Sequence, residues 1–295
     1  MQRLSALPVL WLALALVAGA QAVRPGDPIL VIDPGGHTRF VKDVVFTADG
    51  RQLVSGGDDK VIRVWDVAAG KTVRTIRGQL GPGAEGTIYA LALSPDNKYL
   101  AVGGIFPGAP DEGFAIRLHD FESGRVIDLL KGHEMKVNAL AFSADGRRLV
   151  SGSDDKRVLV WDVSQAGAAG GAAVAPLEVG RHGESVSAVA FSPDGTMVAS
   201  GGDDAMVDLW NARKEAQGAR LLGQMTRHGY EQVYGVAFSP DGRYVVSGGL
   251  DDRVFLWDWK GVDRRSFSPL NGGTVRELLR MSADVLNVAF SPDGA

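Results

Sequence analysis

Apolar and polar residues alternate along most of this chain in short runs that end at Asp-Gly or Gly-Gly pairs. The stretch LVSGGDDKVIRVWD, from Leu53 to Asp66, is typical, and similar stretches begin at Leu149, Val198 and Val245. Short runs of β-branched and aromatic residues between tight-turn residues predict β-strands joined as hairpins. The pattern therefore predicts an all-β protein that is built from one repeated unit.

The repeat has a nearly constant period. One apolar residue precedes each turn of the type Ser/Thr-Pro/Ala-Asp-Gly, in which Asn97 replaces the Gly of the second copy, and the steps between the six copies are 47, 49, 49, 47 and 52 residues. These six residues are Phe46, Leu93, Phe142, Phe191, Phe238 and Phe290. Each complete copy contains four strand-like runs, which predicts a four-stranded antiparallel meander. A single such sheet cannot bury both of its faces, whereas radial stacking of several sheets buries them, as in a β-propeller.

We therefore predict a β-propeller of four-stranded antiparallel blades, with five complete blades and the start of a sixth. The predicted blades cover about residues 35–77, 78–131, 132–180, 181–225 and 226–281, and a partial blade covers 282–295.

The first residues predict export. Met1 to Arg3 give a short, positively charged start, an apolar run extends from Leu4 to Val17, and Ala20-Gln21-Ala22 supplies small residues for cleavage. This pattern predicts a secretory signal peptide over residues 1–22 and a periplasmic or secreted protein without a membrane span after cleavage. The alternative is an uncleaved membrane anchor, but the run is short against the ~20 residues that a spanning helix needs.

Composition narrows the kinds of partner. The 295 residues carry a formal net charge of −4 without a block of Lys or Arg, so we expect no nucleic-acid partner. The chain has no cysteine, which excludes disulfides, lipid attachment through cysteine and a cysteine nucleophile.

Recurring Gly-His and Trp-Asp pairs carry a family resemblance. A His precedes the first strand of four copies, as in Gly36-His37 and Gly132-His133, while Arg replaces the Gly in Arg181-His182 and Arg227-His228. With its Asp-containing turns and Trp-Asp pairs, the chain after the signal peptide resembles a WD-repeat propeller. The resemblance implies one buried hydrogen-bonded tetrad of His, Ser, Asp and Trp in each of these copies. The matching positions are His37, Ser55, Asp59 and Trp65; His133, Ser151, Asp155 and Trp161; His182, Ser200, Asp204 and Trp210; and His228, Ser247, Asp251 and Trp257.

The tetrad residues also resemble the Ser, His and Asp of a hydrolase triad. A structural role is favoured, because no enzyme needs four copies that are each tied to a Trp. The Asp pairs of the turns lie in different blades, so they do not form a clustered metal site. We expect no enzyme activity, no cofactor, no metal and no small-molecule ligand.

The second copy departs from the pattern. Val102 stands where the tetrad has Ser, His119 stands where it has Trp, and Gln79 is the nearest substitute for the His. Two insertions, Gln79 to Gly86 and Ile105 to Gly113, lengthen loops that open on the same face of a propeller, its top. We expect a raised rim on blade 2, which is either a partner-binding lip or a tolerated surface insertion.

We predict a non-catalytic scaffold that binds a protein or peptide partner through the top rim, because propellers of this kind usually bind protein partners there. The candidate binding residues follow the His positions or lie in the blade 2 insertion. They are Arg39, Phe40, Phe106, Asp111, Glu112, Glu134, Met135, Tyr230 and Glu231.

Two alternatives remain at this point. The signal peptide, the opening ILVIDPGGHTRFV and the insertion GQLGPG resemble exported bacterial proteins that join WD repeats to a caspase-like peptidase. The last copy stops after its Asp-Gly turn, and Ile29–Asp33 resembles the strand that closes a WD-repeat ring, so we expect an incomplete ring and the front part of a longer protein. The other alternative is a propeller enzyme with a site in its channel, for which no acid–base group outside the tetrads is evident.

Overall fold

The computed structural model describes residues 36–77, 83–106, 112–167, 175–213, 221–259, 274–291 and 293–294. The predicted signal peptide, the strand predicted at Ile29–Asp33, Gln79 and Asp111 lie outside these residues. The regular elements of the described residues are 20 β-strands, which form five four-stranded antiparallel sheets. The predicted fold class, an all-β propeller of four-stranded blades, is confirmed. No helix within the described ranges is long and apolar enough to cross a membrane.

Each sheet is a meander in which neighbours along the chain pair with each other. Blade 1 contains β1 (Val41–Phe46), β2 (Gln52–Gly57), β3 (Val61–Asp66) and β4 (Lys71–Arg77). Blade 2 contains β5 (Ile88–Leu93), β6 (Tyr99–Gly104), β7 (Ile116–Asp120) and β8 (Val126–Leu130). Blade 3 contains β9 (Val137–Phe142), β10 (Arg148–Ser153), β11 (Arg157–Asp162) and β12 (Leu177–Arg181). Blade 4 contains β13 (Val186–Phe191), β14 (Met197–Gly202), β15 (Val207–Asn211) and β16 (Leu221–Met225). Blade 5 contains β17 (Val233–Phe238), β18 (Tyr244–Gly249), β19 (Arg253–Asp258) and β20 (Thr274–Arg280).

The recurring Asp-Gly turn joins the first two strands of blades 1, 3, 4 and 5, and Asp96-Asn97 takes its place in blade 2. In blade 3, the hydroxyl of Ser143 donates to Asp145 Oδ1 at 2.6 Å, and the same carboxylate accepts the backbone N–H of Arg147 at 3.1 Å. Gly146 follows with a φ of 68°, a left-handed conformation that glycine adopts without steric cost. The turn residues thus satisfy their own polar groups and fix the register of the hairpin.

Successive blades pack through small residues on their second strands. Gly152 of β10 lies against Val186, the first residue of β13, and a Cβ at Gly152 would come within 2.5 Å of Val186 Cγ1. The same contact joins the other blades to the start of the copy that follows: Gly56 with Ile88, Gly103 with Val137, Gly201 with Val233, and Gly248 with Val285. The recurring Ser-Gly pair of the sequence therefore serves the contact between blades, because only glycine leaves room for the next first strand.

The sixth copy continues this packing without forming a described strand. Val285 donates its backbone N–H to the carbonyl of Gly249 at 3.0 Å, and its side chain is buried. The residues after it pass close to Gly235 on the first strand of blade 5. The segment therefore lies where the first strand of a following blade would begin, and the predicted blade boundaries stay a prediction.

Candidate functional site

Each of blades 1, 3, 4 and 5 contains a continuous hydrogen-bonded chain of four side chains. In blade 3, Trp161 Nε1 donates to Ser151 Oγ at 2.8 Å, Ser151 Oγ lies 2.7 Å from His133 Nε2, and His133 Nδ1 lies 2.8 Å from Asp155 Oδ2. The other three sets have matching contacts of 2.7–3.0 Å: His37, Ser55, Asp59 and Trp65; His182, Ser200, Asp204 and Trp210; and His228, Ser247, Asp251 and Trp257. The structure thus brings together all sixteen residues of the tetrads implied by the sequence.

The donor and acceptor chemistry of these groups fixes the direction of each chain. Trp can only donate and an ionised Asp can only accept, so the Ser hydroxyl accepts from Trp and donates to His Nε2, and His Nδ1–H donates to Asp. Both ring nitrogens of each His are therefore occupied within the tetrad. A serine held in this way has its hydroxyl proton directed at a buried ring, and its Oγ is already engaged by an indole N–H. The arrangement suits a structural clamp better than a nucleophile.

The tetrad of blade 3 holds its carboxylate, Asp155, in the ionised form. In blade 3, burial alone would raise the pKa of Asp155. The hydrogen bond from His133 and the backbone N–H groups of Glu134 and Arg157, each at 3.0 Å, outweigh burial and lower that pKa to about 2. The carboxylate therefore stays charged at neutral pH and accepts hydrogen bonds from His133 and from the backbone N–H groups of Glu134 and Arg157.

Blade 2 replaces the tetrad with apolar packing. Val102 and His119 occupy the Ser and Trp positions, and both are buried. His119 Nδ1 donates to the carbonyl of Gly124 at 3.0 Å, and burial is the main cause that lowers the pKa of this imidazole. The Arg117 guanidinium lies 4.1 Å from the ring centroid of Phe106, which is only 6% exposed. The blade thus substitutes a cation–π contact and an apolar cluster for the hydrogen-bonded chain.

Phe106 corrects one prediction. The sequence placed it among the exposed residues of a blade 2 rim, but its ring packs in the cluster that joins blade 1 to blade 2. The apolar positions left by the missing tetrad give the physical reason, because they create a pocket that a large side chain fills. Glu112 of the same insertion forms an ion pair with Lys131 at 3.1 Å.

The remaining described candidates lie at one end of the blades, where each first and third strand begins; we call this end the top face. Phe40 is 78% exposed, Met135 is 49% exposed, and Tyr230 is fully exposed. The charged candidates beside them, Arg39, Glu134 and Glu231, are exposed as well. The top face therefore presents three large side chains, on blades 1, 3 and 5, among charged residues.

A second group of top-face residues surrounds the inner edges of the first strands in blades 1 to 3. Lys42 forms an ion pair with Asp58 at 3.6 Å, and Lys136 forms one with Asp154 at 3.3 Å. Both ammonium groups also approach the ring of Tyr89, at 5.9 Å and 4.5 Å from its centroid. This part of the top face is an aromatic side chain flanked by two cations, each paired with a carboxylate.

The group continues across blades 3 to 5 with a more acidic character. Asn138 Nδ2 donates to Asp154 Oδ1 at 2.6 Å, and the hydroxyl of Ser187 donates to Asp203 Oδ1 at 2.7 Å. Burial raises the pKa of Tyr234, and the nearby charges of Asp203, Asp154 and Asp284 raise it further. In blades 1, 3 and 4 the first Asp of the turn pair thus faces the top of the inner strands, and the second belongs to the tetrad. In blade 5 the first Asp of the pair, Asp251, belongs to the tetrad.

Sequence reasoning missed this second group. Five of its members occupy the second residue of a first strand, a position that varies while the surrounding apolar residues recur: Lys42, Tyr89, Asn138, Ser187 and Tyr234. A variable polar or aromatic residue inside an otherwise constant repeat was the available signal. No set of three or more His, Cys, Asp or Glu residues in the described ranges is arranged to hold a metal ion.

Several curated proteins are similar to about half of the chain. It is 34% identical over 158 residues to nuclear distribution protein nudF of Aspergillus niger, covering 49% of this chain and 34% of that protein. It is 34% identical over 144 residues to nuclear distribution protein PAC1 of Coccidioides posadasii, covering 44% of this chain and 29% of that protein. It is 29% identical over 164 residues to apoptotic protease-activating factor 1 of Mus musculus, covering 45% of this chain and 13% of that protein. The chain spans about a third or less of the length of these relatives, and their fungal and mammalian origin does not support an exported bacterial type.

The family model for the WD domain, G-beta repeat, matches five segments that together make up more than half of the chain. These segments are residues 26–66, 70–105, 124–162, 177–211 and 219–258. Four of them end on the residue that follows a tetrad Trp, and the segment that ends elsewhere, at 105, lies in the blade without a tetrad. The family resemblance carried by the Gly-His and Trp-Asp pairs is confirmed, and the chain belongs to the WD40 repeat family.

Proposed function

We propose that this chain is a non-catalytic scaffold that binds a protein or peptide partner through its top face. The observation that carries the proposal is the exposure of Phe40, Met135 and Tyr230 at the same end of blades 1, 3 and 5. Aromatic and Met side chains are enriched in the buried centres of protein interfaces, where a polar rim surrounds them. The charged residues beside these three side chains supply such a rim.

Two features of the second top-face group support a protein partner. Tyr89 and Tyr234 offer flat apolar surface with a polar tip. The ion pairs of Lys42 and Lys136 flank Tyr89 with charge of both signs, and the carboxylates of Asp203 and Asp154 lie near Tyr234. A mixed surface of this kind matches the mixed surface of another protein better than it matches a uniformly charged polymer.

The proposal of a non-catalytic role rests on the hydrogen bonds that the tetrad His and Ser side chains already make within their blades. Each tetrad engages both nitrogens of its His and the hydroxyl of its Ser within the blade. A general base must instead reach the proton of a bound substrate. The side chains that resemble a hydrolase triad are thus already committed to holding the blade.

The test compares two triple variants of the full chain in a pull-down from cells of the source organism. The top-face variant carries Phe40→Ser, Met135→Ser and Tyr230→Ser. The control carries Val73→Ser, Val126→Ser and Leu222→Ser, which removes three exposed apolar side chains from the outer strands β4, β8 and β16.

We expect the parent chain and the outer-strand control to retain the same partner, and the top-face variant to lose it. Isothermal titration with the purified partner should then show at least a tenfold weaker association for the top-face variant, because loss of one interface anchor typically costs more than ~1 kcal/mol. Equal binding by the top-face variant, or loss confined to the outer-strand control, would reject the proposed surface.

Export and attachment to a peptidase are narrower proposals. Export rests on the pattern of residues 1–22, and determination of the N-terminus of the mature protein tests it: a start at Val23 supports cleavage, and a start at Met1 or Gln2 rejects it. A caspase-like peptidase joined to these repeats rests on the resemblance of the signal peptide, the opening residues ILVIDPGGHTRFV and the insertion GQLGPG. The coding sequence beyond Ala295 tests this idea, because an α/β pattern with a His and a Cys would support it and further WD repeats followed by a stop would not.

A further inference from the structure

Asp208 is a carboxyl group buried between blades 3 and 4. It lies on β15, directly opposite Ser200 in the register of β14 and β15, and only 2% of the residue is exposed. Side chains two residues apart on a strand share a face, so Asp208 points to the same side of the blade as Trp210. That side packs against Val158 and Val179 of blade 3. The carboxyl group therefore lies at an apolar contact between two blades.

The other tetrad blades place different residues opposite the tetrad Ser. Arg63 occupies this position in blade 1, Leu159 in blade 3 and Phe255 in blade 5. In blade 5 the Phe255 ring contacts His228 edge-on, with 4.9 Å between the ring centroids, so the position borders the tetrad His. Among the four tetrads that the structure describes, blade 4 alone combines the tetrad with an acidic neighbour at this position.

His182 consequently lies between two carboxylates. Its Nδ1 is 3.0 Å from Asp204 Oδ1, and its Nε2 is 3.7 Å from Asp208 Oδ2 and 2.7 Å from Ser200 Oγ. In a neutral His182 whose Nδ1–H donates to Asp204, Nε2 carries a lone pair. That lone pair accepts the hydroxyl proton of Ser200, so the neutral ring offers no donor to an ionised Asp208, and a proton on Asp208 removes this buried charge.

The surroundings of Asp208 favour the protonated form of its carboxyl group. Its Oδ1 has no hydrogen-bond partner among the described residues. Burial raises the pKa of Asp208 from 3.8 to about 6, against the opposing effects of His182 and of a hydrogen bond from Gln224 on β16. The charged groups that act on it are His182 and Asp204, and the apolar residues Val158 and Val179 of blade 3 belong to the cluster on this face of blade 4.

We propose that Asp208 and His182 form a proton-binding site that fills under mildly acidic conditions and strengthens the contact between blades 3 and 4 when it is filled. His182 belongs to the connection from β12 to β13, and its backbone N–H donates to the carbonyl of Lys156 in blade 3 at 2.9 Å. The proton therefore acts on the segment that joins the two blades. A carboxyl whose pKa is higher in the folded than in the unfolded state contributes stability that is fully present below pH 4 and is lost as the pH rises through 6.

The first test measures unfolding of the full chain in urea at several pH values between 4 and 8. The variants are Asp208→Asn, which keeps the shape without the charge, and Asp208→Leu, which copies the residue of blade 3. Relative to the parent chain, we expect the folding equilibrium constant of Asp208→Asn to fall about 100-fold from pH 8 to pH 4, because two pKa units separate the folded and unfolded carboxyl groups. An unchanged ratio across this range would overturn the proposal.

The second test transfers the site to blade 3. Leu159→Asp places a carboxyl beside His133, and Leu159→Asn is its uncharged control. We expect the Asp variant, and not the Asn variant, to gain stability on acidification from pH 8 to pH 4. The same dependence in both variants would show that the carboxyl is not the cause and would overturn the proposal.

A third measurement needs no variant. The ¹³C shift of the Asp208 carboxyl and the ¹⁵N shifts of the His182 ring in the parent chain should change together with a midpoint near 6. Titration of the carboxyl near 3.8, without a response of the His182 ring, would overturn the proposal even if every variant failed to fold.

Discussion

Gly180 of blade 3 lies directly against the indole ring of Trp210 in blade 4: a Cβ at Gly180 would come within 2.4 Å of Cδ2 and Cε3 of that ring. The same indole donates its N–H to Ser200 inside the tetrad. The tetrad therefore fixes the orientation of a ring that also forms part of the contact between blades. Trp210 thus takes part both in the packing between blades and in the hydrogen bonding within its own blade.

Gly180→Ala should destabilise the chain by ~1–3 kcal/mol, because the added methyl overlaps a ring that the tetrad prevents from moving aside. The free energy of unfolding in urea measures the effect. Gly113→Ala is the control, since among the described residues a Cβ there meets the carbonyl of Phe106 alone, at 3.4 Å. A loss no larger than that of the control would mean that Trp210 can shift without cost.

The tetrads should contribute more to stability than the His that replaces Trp in blade 2. Trp161→Phe removes the donor to Ser151 from a fully buried site and should cost ~1–3 kcal/mol, because the Ser oxygen loses a partner. Trp65→Phe should act in the same direction in blade 1. His119→Phe loses one bond to the carbonyl of Gly124 and keeps apolar packing, so its loss should be smaller. Similar losses in denaturant titrations would contradict a special role for the tetrads.

The repeated parts of this chain could be predicted from its sequence, because each blade satisfies the same local rules. Alternating apolar residues and Asp-Gly turns specify strand and hairpin within one copy, and the family resemblance places Ser151 and Trp161 in one tetrad. Contacts within a copy depend on short sequence separations, so a local pattern is sufficient for them.

The parts that could not be predicted depend on contacts between copies. Phe106 lies in an insertion, yet its ring belongs to the apolar cluster that blades 1 and 2 share, and no pattern within blade 2 indicates this burial. Likewise, Lys136 approaches Tyr89 only because two first strands lie side by side. Asp208 looks like one more polar residue of a strand until the register places it beside His182.

Acid should weaken the tetrad of blade 3. The pKa of Asp155 is lowered from 3.8 to about 2 in the folded chain, so its contribution is present above pH 4 and is lost as the pH falls through 2. Its side chain is 5% exposed, and nearly two pKa units correspond to about 2 kcal/mol. Asp155→Asn should therefore be less stable than the parent chain at pH 6, and the gap should close near pH 2.

Equilibrium unfolding in urea at pH 6, 4, 3 and 2 measures this gap. Glu184→Gln is the control, because this carboxylate is 63% exposed and lies in an ion pair that solvent screens. The control should follow the parent chain at every pH. A gap between Asp155→Asn and the parent that is constant from pH 6 to pH 2 would mean that the charge of Asp155 is not what stabilises the blade.

Truncation of two phenylalanines of the predicted rim should change the free energy of unfolding by very different amounts. Phe106 is 6% exposed and packs under Arg117, so Phe106→Ala should cost ~3–5 kcal/mol of stability. Phe40 is 78% exposed, so Phe40→Ala should change stability by less than ~0.5 kcal/mol. If the top face binds a partner as proposed, Phe40→Ala should weaken that binding while the chain stays folded. A stable Phe106→Ala variant that loses the partner would instead restore Phe106 to the binding surface.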